Sequence, residues 1–179
     1  MSDTKKYFDM VKENDVKYVD FRFTDPRGKW QHTAQAVNTV DEDMFAEGIM
    51  FDGSSIAGWK AINESDMNLM PDLSTAVMDP FTAQPQLILF CNVLEPSTGL
   101  PYSRDPRSTA ERAENYLKFT GIGDTAYFGP EPEFFMFDDV KYNVDYASAG
   151  YSLDDEQTPN KSAHTLQDGN KAHRAGVTR

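Results

Sequence analysis

A stretch of period-two alternation followed by a tight turn and a returning strand constrains this chain most. Val16 to Phe23 places Val19, Phe21 and Phe23 on one face. Asp25-Pro26-Arg27-Gly28 follows as a turn signal, with proline's fixed φ suited to an early turn position and glycine closing it. Trp30 to Val37 reads as the returning strand, so residues 16–37 predict a hairpin. Before it, Asp3 is a candidate N-cap, and Tyr7, Met10, Val11 and Phe8 recur at helical spacing until Asn14-Asp15. After it, Asp41 to Ala46 predicts a short acidic helix ending at Gly48, its acids well placed for the helix dipole.

From Gly48 to Pro71 the pattern is irregular, which predicts a long loop of the kind that is functional or mobile. Met67 to Met70 predicts a short strand, and Leu87 to Leu94 a strand apolar enough to be buried on both faces. Glu95-Pro96-Ser97-Thr98-Gly99 marks a boundary. The expectation is an α+β chain with one unit over residues 1–100 and a second over 101–179.

In the second unit, Asp105-Pro106 opens a helix that runs to about Phe119, with Gly121 closing it. Ala110, Ala113, Tyr116 and Leu117 are its expected buried stripe. Thr125 to Phe128 and Glu133 to Phe137 are apolar strand material, and residues 141–170 read as extended loop.

Charge and cysteine usage exclude whole classes of function. Seventeen Lys and Arg against 29 Asp and Glu leave a formal charge of −12, which repels duplex nucleic acid and anionic membrane surfaces. The lone cysteine, Cys91, rules out an intramolecular disulfide framework and fits a reducing compartment. With no apolar leader at the start and no run approaching 18 apolar residues, the expectation is a soluble, cytoplasmic protein without a membrane partner.

Two stretches carry candidate chemistry. In Gly129-Pro130-Glu131-Pro132-Glu133-Phe134-Phe135, an extended backbone puts Glu131 and Glu133 on one face, roughly 6.5–7 Å apart. Set among aromatics, such carboxylates need cations or raised pKa values. Hard divalent ions such as Mg²⁺ or Mn²⁺ would suit them and leave positions for phosphate oxygens. The same spacing suits a solvated edge face, and it falls in the range of an inverting glycosidase pair. The second stretch is Phe51-Asp52-Gly53-Ser54-Ser55-Ile56-Ala57-Gly58-Trp59, followed by Asn63-Glu64-Ser65-Asp66-Met67. Small residues around a carboxylate and a large aromatic suit a loop that reaches into a cleft, with Asp52 able to bind a cation such as ammonium. A surface turn with Trp59 in its own core fits the composition too. Cys91 reads as inert core and His32 as a strand-face residue, while His164 and His173 lie in loop without metal-type partners.

In order and spacing, these two stretches together resemble glutamine synthetase of type I, and Gly169-Asn170-Lys171-Ala172-His173-Arg174 is similar to that family's segment leading into its catalytic barrel. The resemblance runs over nearly all 179 residues and is weakest over about 141–165. It implies a β-grasp N-terminal domain followed by the incomplete start of a catalytic domain built as an antiparallel β-barrel with helices. It implies ATP-dependent condensation of glutamate with ammonia through γ-glutamyl phosphate. By that match Glu131 and Glu133 are ligands of a binuclear Mg²⁺ or Mn²⁺ site, Glu133 for the structural ion and Glu131 for the ion that orients the phosphates of ATP. Asp52 matches the residue that binds and deprotonates ammonium, with Ser55 beside it, and the loop completes the active site of a neighbouring subunit in a homo-oligomer. The family's other metal ligands, its glutamate-binding arginines and its flap lie beyond residue 179, and Val177-Thr178-Arg179 departs from its pattern. The expectation is therefore part of a subunit, inactive alone. A non-catalytic chain that associates with the full-length enzyme, and a ligase joining glutamate to another amine, are the alternatives.

Overall fold

The computed structural model describes residues 3–61 and 64–154. The chain divides into two compact units, Met1–Ala126 and Tyr127–Arg179. The first contains α1 (Asp3–Glu13), β1 (Tyr18–Thr24), β2 (Trp30–Ala36), α2 (Glu42–Glu47), β3 (Ile49–Asp52), β4 (Asp66–Met78), β5 (Gln86–Leu94) and α3 (Pro106–Thr120).

Its five strands form one mixed sheet in the order β2-β1-β5-β4-β3, in which β1 and β5 are parallel and the other neighbours antiparallel. The expected hairpin is present. Asp25 holds its turn by accepting from the backbone N–H of Arg27 and Lys29 and from the Gln31 amide, and Gly28 takes a φ of +83°. Val19, Phe21 and Phe23 join Met67, Leu69, Leu87, Leu89, Cys91 and Val93 in the core. Tyr7 of α1 lies over them, with Met10 and Val11 packed beside it. The other face of β1 is polar. There Asp20 is buried because it pairs with Arg22 Nε at 2.7 Å and His32 Nδ1 at 2.7 Å, while Arg22 also reaches Asp79. Cys91 is buried and burial pushes its thiol pKa up, so it is inert core as expected.

Several expectations are corrected. The irregular stretch from Gly48 is shorter than its composition suggests, because β3 pairs with β4 from Ile49↔Leu69 to Asp52↔Asp66. The strand expected over 67–70 runs for 13 residues and passes through Pro71. Proline is tolerated there because β3 pairs only as far as Leu69, so no neighbour on that side needs its missing N–H. A register shift between Asp72 and Val77 follows, closed by Ser74 bonding to the Asp72 carboxylate and by Phe90 N–H donating to Thr75 Oγ1.

α3 has the predicted ends, with Asp105 as N-cap and Gly121 left-handed at φ +68°. Its expected buried stripe is not realised among the described residues: Ala110, Ala113 and Tyr116 are exposed and Leu117 is half-buried. The helix docks through its first turn instead. Asp105, fully buried, accepts from the N–H of Val93 in β5, from the N–H and hydroxyl of Ser108 and from the N–H of Arg107. Arg107 in turn bonds to Asn92 and Asp72. The helix beyond the expected boundary near residue 100 thus stays with the sheet. Asp105→Ala removes the cap and leaves a buried N–H without a partner, an expected loss of about 3 kcal/mol in urea unfolding of the chain. Ser108→Ala keeps that N–H satisfied and should cost well under half as much.

The strands expected over 125–128 and 133–137 do not form. Strand-prone residues need a neighbouring strand to supply ladder bonds, and the described residues offer them none. The loop expected from residue 141 is instead partly a hairpin, β6 (Asp139–Val144) with β7 (Ala149–Asp154), closed by Asp145 N–H donating to the Ser148 carbonyl. Alternation of Val140, Tyr142 and Val144 carried that signal. No helix among the described residues is long and apolar enough to cross a membrane.

Candidate functional site

The end of β3 delivers Asp52 to the start of a short 3₁₀ turn, Gly53–Ser55. The turn forms because the Asp52 carboxylate accepts from the Ser54 N–H at 2.9 Å and from the Ser54 hydroxyl at 2.6 Å. Gly53 is required by space. A Cβ there would stand 2.4 Å from Met67 Cγ and 3.0 Å from the Ser65 carbonyl oxygen, to which its own N–H donates at 2.7 Å.

Beyond the turn, Ile56 and Trp59 are buried. The indole lies 5.6 Å from the Phe23 ring, 6.0 Å from Phe51 and 5.5 Å from Tyr102. Trp59 is therefore an anchor within its own core that ties this part of the loop to the sheet. Asp52 and Ser55 stay exposed on the loop. The Ser54 hydroxyl, then the Ser54 N–H, with a further hydrogen bond from the Ser65 hydroxyl, hold the Asp52 carboxyl below its ordinary pKa. The result is an exposed carboxylate whose ionised form is favoured by its own turn.

Glu131 and Glu133 lie in the second unit, both exposed and outside regular secondary structure. Phe134, Phe135 and Met136 beside them are exposed too, so the poorly solvated setting expected from the sequence is absent among the described residues. The Phe135 and Phe137 rings stack at 6.0 Å, as alternate residues of a locally extended backbone do. Carboxylate oxygens fit a hard divalent ion in kind. In number they are short, since no group of three or more His, Cys, Asp or Glu among the described residues could hold a metal. Asn63, His164, His173 and the stretch Gly169–Arg174 lie outside the described residues. His32 has its ring largely exposed on the sheet with Nδ1 on Asp20.

Sequence reasoning missed the groups that grip the Asp52 loop from behind: Tyr102, Arg104 and the Lys60–Glu95 pair. Their signal sat in Pro101-Tyr102-Ser103-Arg104, next to an Asp-Pro read only as a helix start.

Comparison with known proteins decides the family. Residues 15–96 match the model described as the glutamine synthetase β-grasp domain, and residues 103–176 match that of the glutamine synthetase catalytic domain. The chain belongs to the glutamine synthetase family. A glutamine synthetase of Azospirillum brasilense is 63% identical over 177 residues, which are 99% of this chain and 38% of that protein. A protein of Cupriavidus pinatubonensis named 3-hydroxylaminophenol mutase is 57% identical over 167 residues, 93% of this chain and 36% of its own length. The chain thus spans little more than a third of the curated relatives it matches. The solved glutamine synthetase of Plasmodium falciparum shares the fold, with a TM-score of 0.67 at 21% identity over 97% of this chain and 34% of that one.

Proposed function

We propose that this chain supplies the N-terminal portion of a glutamate–ammonia ligase, with residues 1–100 as the β-grasp domain and 101–179 as the opening of the catalytic domain. In the reaction the γ-phosphoryl group of ATP passes to the side-chain carboxylate of glutamate, releasing ADP. Ammonia then attacks the γ-glutamyl phosphate and displaces phosphate, giving glutamine. The observation that carries this reading is the turn that presents Asp52 exposed, with Ser54 bonded to its carboxylate, in a chain of this family.

On this reading Asp52 binds ammonium by charge, orients it, and takes the proton that must leave before nitrogen can attack. Ser55, exposed on the same turn, offers a hydroxyl beside it. Because both face solvent in their own unit, they suit the active site of a neighbouring subunit in a homo-oligomer. Glu131 and Glu133 would hold Mg²⁺ or Mn²⁺, which supplies positive charge against the phosphates of ATP.

The test uses a chimera in which this chain replaces the corresponding part of the Azospirillum brasilense relative. Phosphate release should require glutamate, ammonium and ATP together. Turnover of 3-hydroxylaminophenol without ligase activity would overturn the proposal. The 179-residue chain by itself should turn over no ATP and bind Mn²⁺ only weakly, read by isothermal titration.

A further inference from the structure

We infer that Tyr102 and Arg104 are positioning residues for the turn that carries Asp52, acting through the backbone of Gly58 and Trp59. The inference rests on the reading of Asp52 as the ammonium-binding carboxylate.

The connection between β3 and β4 has one end fixed by the sheet, where Asp52 pairs with Asp66 and Gly53 N–H reaches the Ser65 carbonyl at 2.7 Å. Among the described residues the outer limb at Gly58 to Lys60 has no strand partner, and such a limb ordinarily fluctuates. Here side chains from Glu95, Tyr102 and Arg104 hold it. Tyr102 Oη donates to the Trp59 carbonyl at 3.1 Å, and this bond is buried. Arg104 Nη1 donates to the Gly58 carbonyl and reaches that of Trp59 at 3.4 Å. Lys60 Nζ lies 2.6 Å from Glu95 Oε2 and 5.5 Å from the centre of the Tyr102 ring.

The segment carrying Tyr102 and Arg104 is itself anchored on both sides. Tyr102 N–H donates to the Val93 carbonyl at 2.8 Å, and Asp105 N–H donates to the Tyr102 carbonyl at 3.1 Å. Asp105 is fully buried. Hydrogen bonds therefore link the central strand β5 through Tyr102 to the Trp59 carbonyl, and from there Trp59 N–H donates to the Ile56 carbonyl and Ile56 N–H to that of Gly53, the residue after Asp52. The apolar contacts of Trp59 with Phe23 and Phe51 do not depend on these bonds. Loss of the polar clamp should loosen the loop while leaving the core intact. Displacement of a substrate-orienting group by about 1 Å is enough to cost up to a hundredfold in rate, so such a grip bears on chemistry.

In the chimera, Arg104→Ala should raise the KM for ammonium about five- to tenfold, and Tyr102→Phe, which deletes one oxygen, about two- to threefold. The KM for ATP should stay within about twofold, and Arg104→Lys should recover part of the loss. Hydrogen exchange at residues 54–60 should quicken in both variants with the thermal midpoint little changed. Unchanged exchange, or KM values for ammonium and ATP rising together, overturns the inference. Asp52→Ala measured alongside separates the two claims. If it leaves the ammonium KM unmoved, the reading of Asp52 fails and the inference falls with it. If it raises that KM while the Tyr102 and Arg104 variants do not, the inference alone fails.

Discussion

Asp52→Ala in the chimeric subunit raises the KM for ammonium about 30- to 100-fold and leaves the KM for ATP within about twofold. The size follows from deleting a charge-assisted interaction worth about 2–3 kcal/mol, at roughly 1.4 kcal/mol for each tenfold. Asp52→Asn keeps the shape of the carboxylate and its bonds from Ser54 but not its charge. It should lose nearly as much as Asp52→Ala if charge is what binds ammonium, and little if Asp52 only shapes the turn. The pH dependence carries a further sign. Ser54 holds the folded-state pKa of Asp52 below its ordinary value, so the charge is present at all pH above the carboxylate range and is lost only as pH falls through that depressed value. Between about pH 6 and 8 the ammonium KM of the parent should therefore show no acid limb from this group. Equal losses toward ammonium and ATP in Asp52→Ala would remove its assigned role.

How much of this was legible beforehand depends on the range of the interaction involved. The hairpin, α1 and both ends of α3 are written in local patterns: period two around Phe21, helical spacing from Tyr7, and Asp105-Pro106 with Gly121. The course of β4 was hidden because Pro71 looks like a strand breaker until one knows that β3 stops short of it. Burial of Asp20 on the polar face of β1 was equally hidden, since it depends on Arg22 and on Asp79 from a distant connection. The exposed stripe of α3 shows the converse, because periodicity marks a face fit for burial without saying what covers it.

The site divides the same way. Asp52, Gly53 and Ser54 form a local turn, and its composition alone suggested a loop shaped around a carboxylate. That Trp59 is core rather than pocket lining depends on Phe23 and Tyr102, which lie 36 and 43 positions away. Arg104 could not be matched to its acceptors at all, because backbone carbonyls have no signature in sequence. Glu131 and Glu133 were picked out by spacing, yet their chemistry needs partners that two residues on one segment cannot supply.

That shortage makes the largest effect fall on Glu133. In the chimera, Glu133→Gln should lower kcat at least a thousandfold, and Glu131→Gln by a similar or smaller factor, with the KM for ammonium within about twofold. A neutral amide keeps the size of the carboxylate but gives up the charge that supplies most of its bond to a hard divalent ion. Phosphoryl transfer leans on charge stabilisation and positioning more than on covalent help from the protein, so weakening the ion's hold should cost orders of magnitude. The two variants should also differ in kind. If Glu131 serves the ion on the phosphates, its loss should raise the KM for ATP and the Mg²⁺ requirement together. If Glu133 serves the structural ion, its loss should lower thermal stability in Mn²⁺ and leave that of the metal-free protein unchanged. Activity preserved within about tenfold in both variants would return Glu131 and Glu133 to the status of solvated surface carboxylates, which is how they stand among the described residues.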